Sequence, residues 1–151
     1  DQSAVEDRPD VLVYSTPALD RPVEIAGPVR LRLFAATDGP DTDFTAKLVD
    51  VQPDGTPINL SEGAVRASFA YPGGMASGVP HAFEIALVDL SHAFLPGHRL
   101  RLEVSSSNFP KYARNLNTGA DSHTTAETRV AAQTIYHDAA RASALEVWVR
   151  G

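Results

Sequence analysis

Short stretches of strict two-residue alternation, separated by proline and glycine turns, are the feature that most constrains this fold. After the turn signal Pro96-Gly97, three apolar residues fall on one face of the chain, Leu100, Leu102 and Val104. The arginines and the glutamate between them fall on the other face. This period is typical of a half-buried strand. Since no window has a helical period of useful length, the sequence predicts an all-β protein.

The same alternation recurs along the whole chain. It predicts strands at residues 11–16, 23–37, 44–52, 58–69, 81–90, 99–104, 129–138 and 143–149, where residues 58–69 form either a strand pair or one bent strand. Gly27-Pro28 predicts a bulge or bend inside the second strand, because proline cannot donate to a central ladder. The run from Pro53 to Thr56 predicts a tight turn. Many short strands joined by such turns favour a β-sandwich, here a jelly roll.

The length of 151 residues suits a single domain. We expect residues 1–10 to be a linker from a preceding domain and residues 11–151 to form one jelly-roll sandwich. No window reaches the roughly 18 apolar residues of a membrane span. No signal peptide is visible, which favours the cytoplasm but leaves the compartment open.

Charge and composition exclude several classes of function. The formal net charge is −6, whereas nucleic-acid binding requires a basic face. The chain has no cysteine, which excludes disulfides, thiolate nucleophiles and cysteine metal sites. Neither nucleic acid nor a membrane is therefore an expected partner.

The sequence offers no convincing catalytic residue. The nearest match to a Gly-x-Ser-x-Gly elbow is GMASG at residues 74–78, where the serine comes one place too late and no strand-to-helix context surrounds it. Five histidines are present, and none has the spacing of a metal-binding pair. We therefore predict no catalytic residue, no metal ligand set and no cofactor.

Three aspartates crowd one loop, Asp38, Asp41 and Asp43. Hard cations such as calcium favour oxygen clusters of this kind, although the spacing does not fit an EF-hand. Aspartates also stabilise turns and strand ends through the backbone. We favour the turn-forming role and keep calcium as the alternative.

A long polar loop follows the strand at residues 99–104. Loops of this length in compact domains are usually functional or structurally committed. We expect Phe109 to close the end of the sandwich as a plug. The last strand places Trp148 on its polar side by parity. The residues selected as candidate contacts are Asn108, Phe109, Lys111, Tyr112, Arg114, Asn115 and Trp148.

Two motifs resemble a known family, DTDFTAKLVDVQPDG at residues 41–55 and FLPGHRLRLEVSSSNFPKYARNLNTG at residues 94–119. They closely resemble the C-terminal jelly-roll domain of the X-Pro dipeptidyl-peptidase and cocaine esterase family of serine hydrolases. Residues 10–19 and 143–149 fit the same domain. The resemblance therefore covers essentially the whole chain.

The resemblance implies a galactose-binding-like, non-catalytic accessory domain. In this family the Ser, His and Asp triad lies on a preceding α/β-hydrolase domain, and a helical cap adds selectivity. The jelly roll packs on both and helps to wall the substrate pocket, so the candidate contacts become domain-contact or pocket-rim residues. Without those domains we expect self-association through exposed apolar surface. The alternative is a stand-alone ligand- or carbohydrate-binding module using Trp148, Tyr71 and Tyr112.

Overall fold

The computed structural model describes residues 1–150 and contains eight β-strands and two single-turn helices. The helices are α1 Ser3–Glu6 and α2 Ala67–Ala70. Each predicted strand range overlaps one of the observed strands. These are β1 Leu12–Ser15, β2 Val23–Thr37, β3 Asp43–Val51, β4 Pro57–Arg66, β5 His81–Phe94, β6 Arg99–Ser105, β7 Gln133–Tyr136 and β8 Ala144–Val149.

The strands form two antiparallel sheets. Sheet 1 has the order β1-β6-β3-β4. In sheet 2, β2 pairs with β5 along one side and with β7 and β8 along the other. The predicted all-β sandwich is confirmed.

Alternating side chains from the two sheets fill the core between them. Phe44 and Leu48 of β3 face Leu31 and Leu33 of β2, and all four are almost completely buried. The rings of Phe44 and Phe83 lie 4.9 Å apart between centroids, which joins β3 to β5. The period-two pattern thus marks the residues that exclude water from the sandwich.

The bulge predicted at Gly27-Pro28 is present in β2. The pairing register with β5 shifts between this glycine and Val29, and the register with β8 shifts between Ile25 and Val29. Gly27 has a φ of 136°, which L side chains rarely adopt, and an added Cβ would lie 3.5 Å from the Cβ of Trp148. The bulge lets β2 accommodate proline without breaking the sheet.

The strand predicted over residues 58–69 is wrong at its C-terminal end. β4 stops at Arg66, and residues Ala67–Ala70 form the helical turn α2. The Thr42 carbonyl accepts from the Ala67 N–H, and the Asp41 carboxylate accepts from the Ser68 N–H at 2.8 Å. These two bonds divert the chain, so Phe69 is 79% exposed instead of joining the core.

The two long sides of the sandwich differ. On one side β4 touches β5, where the Ser61 hydroxyl donates to the Val88 carbonyl at 2.5 Å. On the other side a mainly apolar cavity of about 340 Å³ separates β1 and β6 from β7 and β8. Its walls include Leu31, Leu102 and Leu145. The sandwich is therefore closed along one side and open along the other.

At its central strand β3, sheet 1 is covered on its outer face as well as on its inner face. Every residue of β3 is buried, including those that point away from the core. Residues 1–10 pack here, since the Gln2 N–H donates to the Pro57 carbonyl at 2.9 Å and the Gln2 side chain accepts from Lys47 Nζ at 2.6 Å. Among residues 1–150, no helix is long and apolar enough to cross a membrane.

Candidate domain-contact surface

The loop between β6 and β7, residues 106–132, is attached to sheet 1 at two points. At the first, Glu62 of β4 accepts from Asn108 Nδ2 and from Lys111 Nζ, each at 2.5 Å. Burial of Glu62 opposes ionisation, but the two donors outweigh it and lower the pKa of the carboxyl. An ionised glutamate thus holds the beginning of the loop.

The second attachment point is a buried carboxylate pair. Asn115 Nδ2 donates to Asp41 at 2.9 Å and to Asp43 at 2.8 Å. Arg66 binds both oxygens of Asp43, at 2.8 and 2.9 Å. The charge-assisted, bidentate contact with Arg66 holds the Asp43 carboxylate in place, and the two bonds from Asn115 fix the middle of the loop to the carboxylate pair.

Between these points the loop leaves an aromatic and a cationic side chain unburied. Phe109 is 64% exposed, and the guanidinium of Arg114 lies 5.4 Å from its ring centroid. Tyr112 is partly buried, with Lys111 Nζ 5.8 Å from its ring. The expectation that Phe109 plugs the sandwich is wrong, because attachment of the neighbouring residues to sheet 1 leaves its ring outside.

The three aspartates of the candidate calcium loop are occupied by donors from the protein. Asp38 pairs with Arg129 at 3.0 Å and accepts from the Ala132 N–H at 2.9 Å. Asp41 and Asp43 hold α2 and the loop as described above. Within residues 1–150 no group of three or more His, Asp or Glu side chains could hold a metal ion. The geometry is that of turn and loop fixation.

Trp148 lies far from the loop in the sheet pairing. It belongs to β8 in sheet 2, is 50% exposed and packs over the backbone of Gly27. The structure therefore brings together the loop candidates at sheet 1 and leaves Trp148 on the other sheet.

A row of charged residues across sheet 1 was missed by the sequence analysis. The strand register places Glu103 of β6, Lys47 of β3 and Glu62 of β4 side by side. Lys47 Nζ lies 3.8 Å from Glu103, and both residues are buried. The available signal was a lysine in the middle of a strand, on the face opposite Phe44, Ala46 and Leu48, but only the register reveals its neighbours.

The ionisable groups form no arrangement for nucleophilic catalysis. Across residues 1–150, no hydrogen bond joins a serine or threonine hydroxyl to a histidine ring. Asp50 bridges His92 and His98, at 3.0 and 2.8 Å, and contacts no hydroxyl. The arrangement can position a loop and present a surface.

Comparison with known proteins also indicates a non-catalytic domain. A family model described as the X-Pro dipeptidyl-peptidase C-terminal non-catalytic domain matches residues 2–146. The cocaine esterase of Rhodococcus sp. (strain MB1 Bresler) is 50% identical over 123 residues, which cover 79% of this chain and 21% of the esterase.

Two solved structures share the fold over the full length of the chain. An aminopeptidase from the marine sediment archaeon Thaumarchaeota archaeon has a TM-score of 0.94 at 33% identity and matches all of this chain. An α-amino acid ester hydrolase has a TM-score of 0.89 at 34% identity over 99% of the chain. In each case the chain covers only 27% of the longer protein.

Proposed function

Because this chain belongs to the family of X-Pro dipeptidyl-peptidase C-terminal non-catalytic domains, we propose that it is the accessory domain of a longer serine hydrolase. It packs on the α/β-hydrolase domain and the helical cap of the same parent chain and helps to shape the substrate pocket. The observation that carries the proposal is the loop at residues 106–132. This loop is fixed by buried carboxylates yet leaves Phe109 and Arg114 exposed.

The names of the relatives suggest the chemistry of the parent. They are an esterase, an aminopeptidase and an ester hydrolase, so all act on ester or amide bonds. We propose that the parent of this chain hydrolyses esters or amides, acyl-proline peptides included. The nucleophile, the base and the orienting acid belong to the preceding domain.

The loop has the physical properties of an interface. Exposed aromatic and arginine side chains contribute most of the binding energy at protein contacts. Phe109 and Arg114 of the loop form such a pair, with a guanidinium-to-ring distance of 5.4 Å. Beside the loop, the exposed ring of Phe69 in α2 lies 5.8 Å from the half-buried guanidinium of Arg66. Since the loop is already fixed by hydrogen bonds, docking costs little conformational entropy.

The proposal predicts that the isolated 151-residue chain is inactive. p-Nitrophenyl esters and X-Pro amides should be hydrolysed no faster than in buffer. Turnover that is abolished by a serine-directed inhibitor would contradict the assignment of the triad to another domain. An intact β-sheet circular dichroism spectrum is the control for folding.

The role of the loop can be tested in a chimera. The chain replaces the matching segment of the Rhodococcus cocaine esterase, to which it is 50% identical. We expect Arg114→Ala to weaken the chimera by about 1 kcal/mol or more. The loss should be seen either in the free energy of unfolding or in the transition-state stabilisation calculated from kcat/KM. Arg21→Ala, at an exposed arginine outside the loop, is the matched control. If both variants match the parent chimera in melting temperature and kcat/KM, the loop is not a domain contact.

The half-exposed Trp148 favours one alternative, a stand-alone carbohydrate- or ligand-binding module. Such modules present aromatic rings beside polar groups. A glycan array followed by calorimetry would detect the binding, with Trp148→Ala as the variant that abolishes it. Absence of binding across a broad glycan panel would exclude this function.

A further inference from the structure

Two carboxyl groups meet where residues 1–10 lie on sheet 1. Glu6 of α1 and Glu103 of β6 each have one carboxyl oxygen, Oε1, that is buried and has no conventional hydrogen-bond partner. Glu6 is bound by Arg101, which lies two positions from Glu103 in β6, and the Glu6 carboxyl is one of the groups that raise the pKa of Glu103. Ionised carboxyl oxygens only accept hydrogen bonds, so a hydrogen bond between two carboxyl groups requires a proton on one of them.

The surrounding cations engage the other oxygens of the pair. Arg101 Nη1 donates to Glu6 Oε2 at 2.5 Å, and Lys47 Nζ lies 3.8 Å from Glu103 Oε2. Lys47 also lies beside Glu62 in the register and donates to the uncharged side chain of Gln2. The charged groups facing the pair are Lys47 of β3, Arg101 of β6 and Glu62 of β4, whose own carboxyl is held by Lys111 of the loop.

We propose that Glu6 and Glu103 share one proton, and that this proton fastens residues 1–10 to the outer face of sheet 1. The bond formed is a carboxylic O–H of one glutamate donating to the carboxylate of the other. Loss of the proton leaves two negative charges facing each other in a site with little water. The segment is then repelled from the sheet.

The direction of the pH dependence follows from the environment of Glu103. Burial is the main cause that raises its pKa from 4.5 to about 7, and the Glu6 carboxyl adds to the shift, while Lys47 opposes it. Because the folded state binds the proton more tightly than the unfolded chain, the stabilisation is complete below about pH 4.5. It decreases as the pH rises and is lost above about pH 7.

Amide hydrogen exchange in the 151-residue chain tests whether the shared proton holds residues 1–10 on sheet 1. Protection factors for residues 1–10, corrected for the intrinsic exchange rate, should fall about tenfold or more between pH 5.5 and pH 8.5. Glu103→Gln should abolish this fall, since an uncharged amide can donate to Glu6 at every pH. Glu6→Gln should also abolish the fall, because the glutamine amide can donate to Glu103 at every pH. Glu146→Gln, at an exposed glutamate of β8, should leave the fall unchanged.

Carbon-13 NMR titration of the glutamate carboxyls tests the wild-type chain without any substitution. One carboxyl of the pair should titrate near pH 7, well above an exposed glutamate. Titration of both carboxyls near pH 4.5 would overturn the proposal. The proposal would also be overturned if the protection of residues 1–10 fell as much in Glu103→Gln and Glu6→Gln as in the wild-type chain.

Discussion

At the scale of single residues, the most informative side chain is Lys47. It lies in the middle of β3 between Glu62 and Glu103, and only 11% of its side chain is exposed. A cation in this position favours the ionised form of both carboxyls and so opposes the protonation that burial favours at Glu103. The outer face of sheet 1 therefore carries a buried group of charges around Lys47.

Removal of this cation should destabilise the fold in a pH-dependent way. We expect Lys47→Met to cost about 2–3 kcal/mol of unfolding free energy at pH 8, because Glu103 is then buried without its partner. The cost should be smaller at pH 5, where Glu103 takes up a proton. Urea unfolding at the two pH values gives the comparison.

An exposed ion pair is the matched control for Lys47. Arg30 Nη1 lies 3.7 Å from Glu84 Oε1, and the two side chains are 49% and 71% exposed. Arg30→Met should change the unfolding free energy by less than about 1 kcal/mol at both pH values. Equal costs for the two substitutions would contradict the buried group of charges.

At the scale of elements, the closed side of the sandwich depends on a single glycine of β4. A Cβ added to Gly63 would lie 2.2 Å from the carbonyl oxygen of Ala86 in β5. Both strands are fixed by their sheets, so backbone atoms would have to move. This glycine is required for a close approach rather than for a turn, because its φ is not positive.

Gly63→Ala should therefore lower the unfolding free energy by about 3 kcal/mol, the range of severe overpacking. Gly73→Ala is the matched control, since no heavy atom lies within 4 Å of an added Cβ there. Its effect should stay within about 1 kcal/mol. Denaturant unfolding of the two variants measures the difference, and a tolerated alanine at Gly63 would mean that β4 and β5 can separate.

At the scale of the whole molecule, the open side of the sandwich leaves an unpaired edge. β1 pairs only with β6, and all four of its residues are exposed. Leu12 and Tyr14 are 43% and 37% exposed, and Tyr14 lines the cavity between the sheets. Such an edge is a template for pairing with another chain.

We propose that the isolated chain self-associates through this edge. Light scattering coupled to size-exclusion chromatography should show a mass that rises with concentration. Leu12→Lys should suppress the rise, because lysine on an edge strand opposes pairing. Val130→Lys, at a 94% exposed loop position, is the control. A monomer at all concentrations would exclude self-association, and suppression by both variants would exclude β1 as the site.

The sequence alone determined the strands and much of the fold class. Period-two alternation reports which side chains are buried, and the proline and glycine signals at Gly27 and at residues 53–56 report local backbone geometry. Both are properties of neighbouring residues, so they can be read from the chain. The motifs at residues 41–55 and 94–119 added the family. The end of β4 was missed, because a distant carboxylate, Asp41, diverts the chain at Ser68.

The tertiary structure decided which polar residues meet. Asn115 binds Asp41 and Asp43 across more than 70 positions, and Glu103 reaches Lys47 only through the strand register. Alternation assigns Glu103 to the polar face, yet Glu103 is buried there, and Gln2 and Glu6 bind the neighbouring Lys47 and Arg101. Whether a polar face is wet or buried depends on what packs on it, and this packing is a long-range property. The physical consequence is a glutamate with a pKa of about 7, which no local pattern reveals.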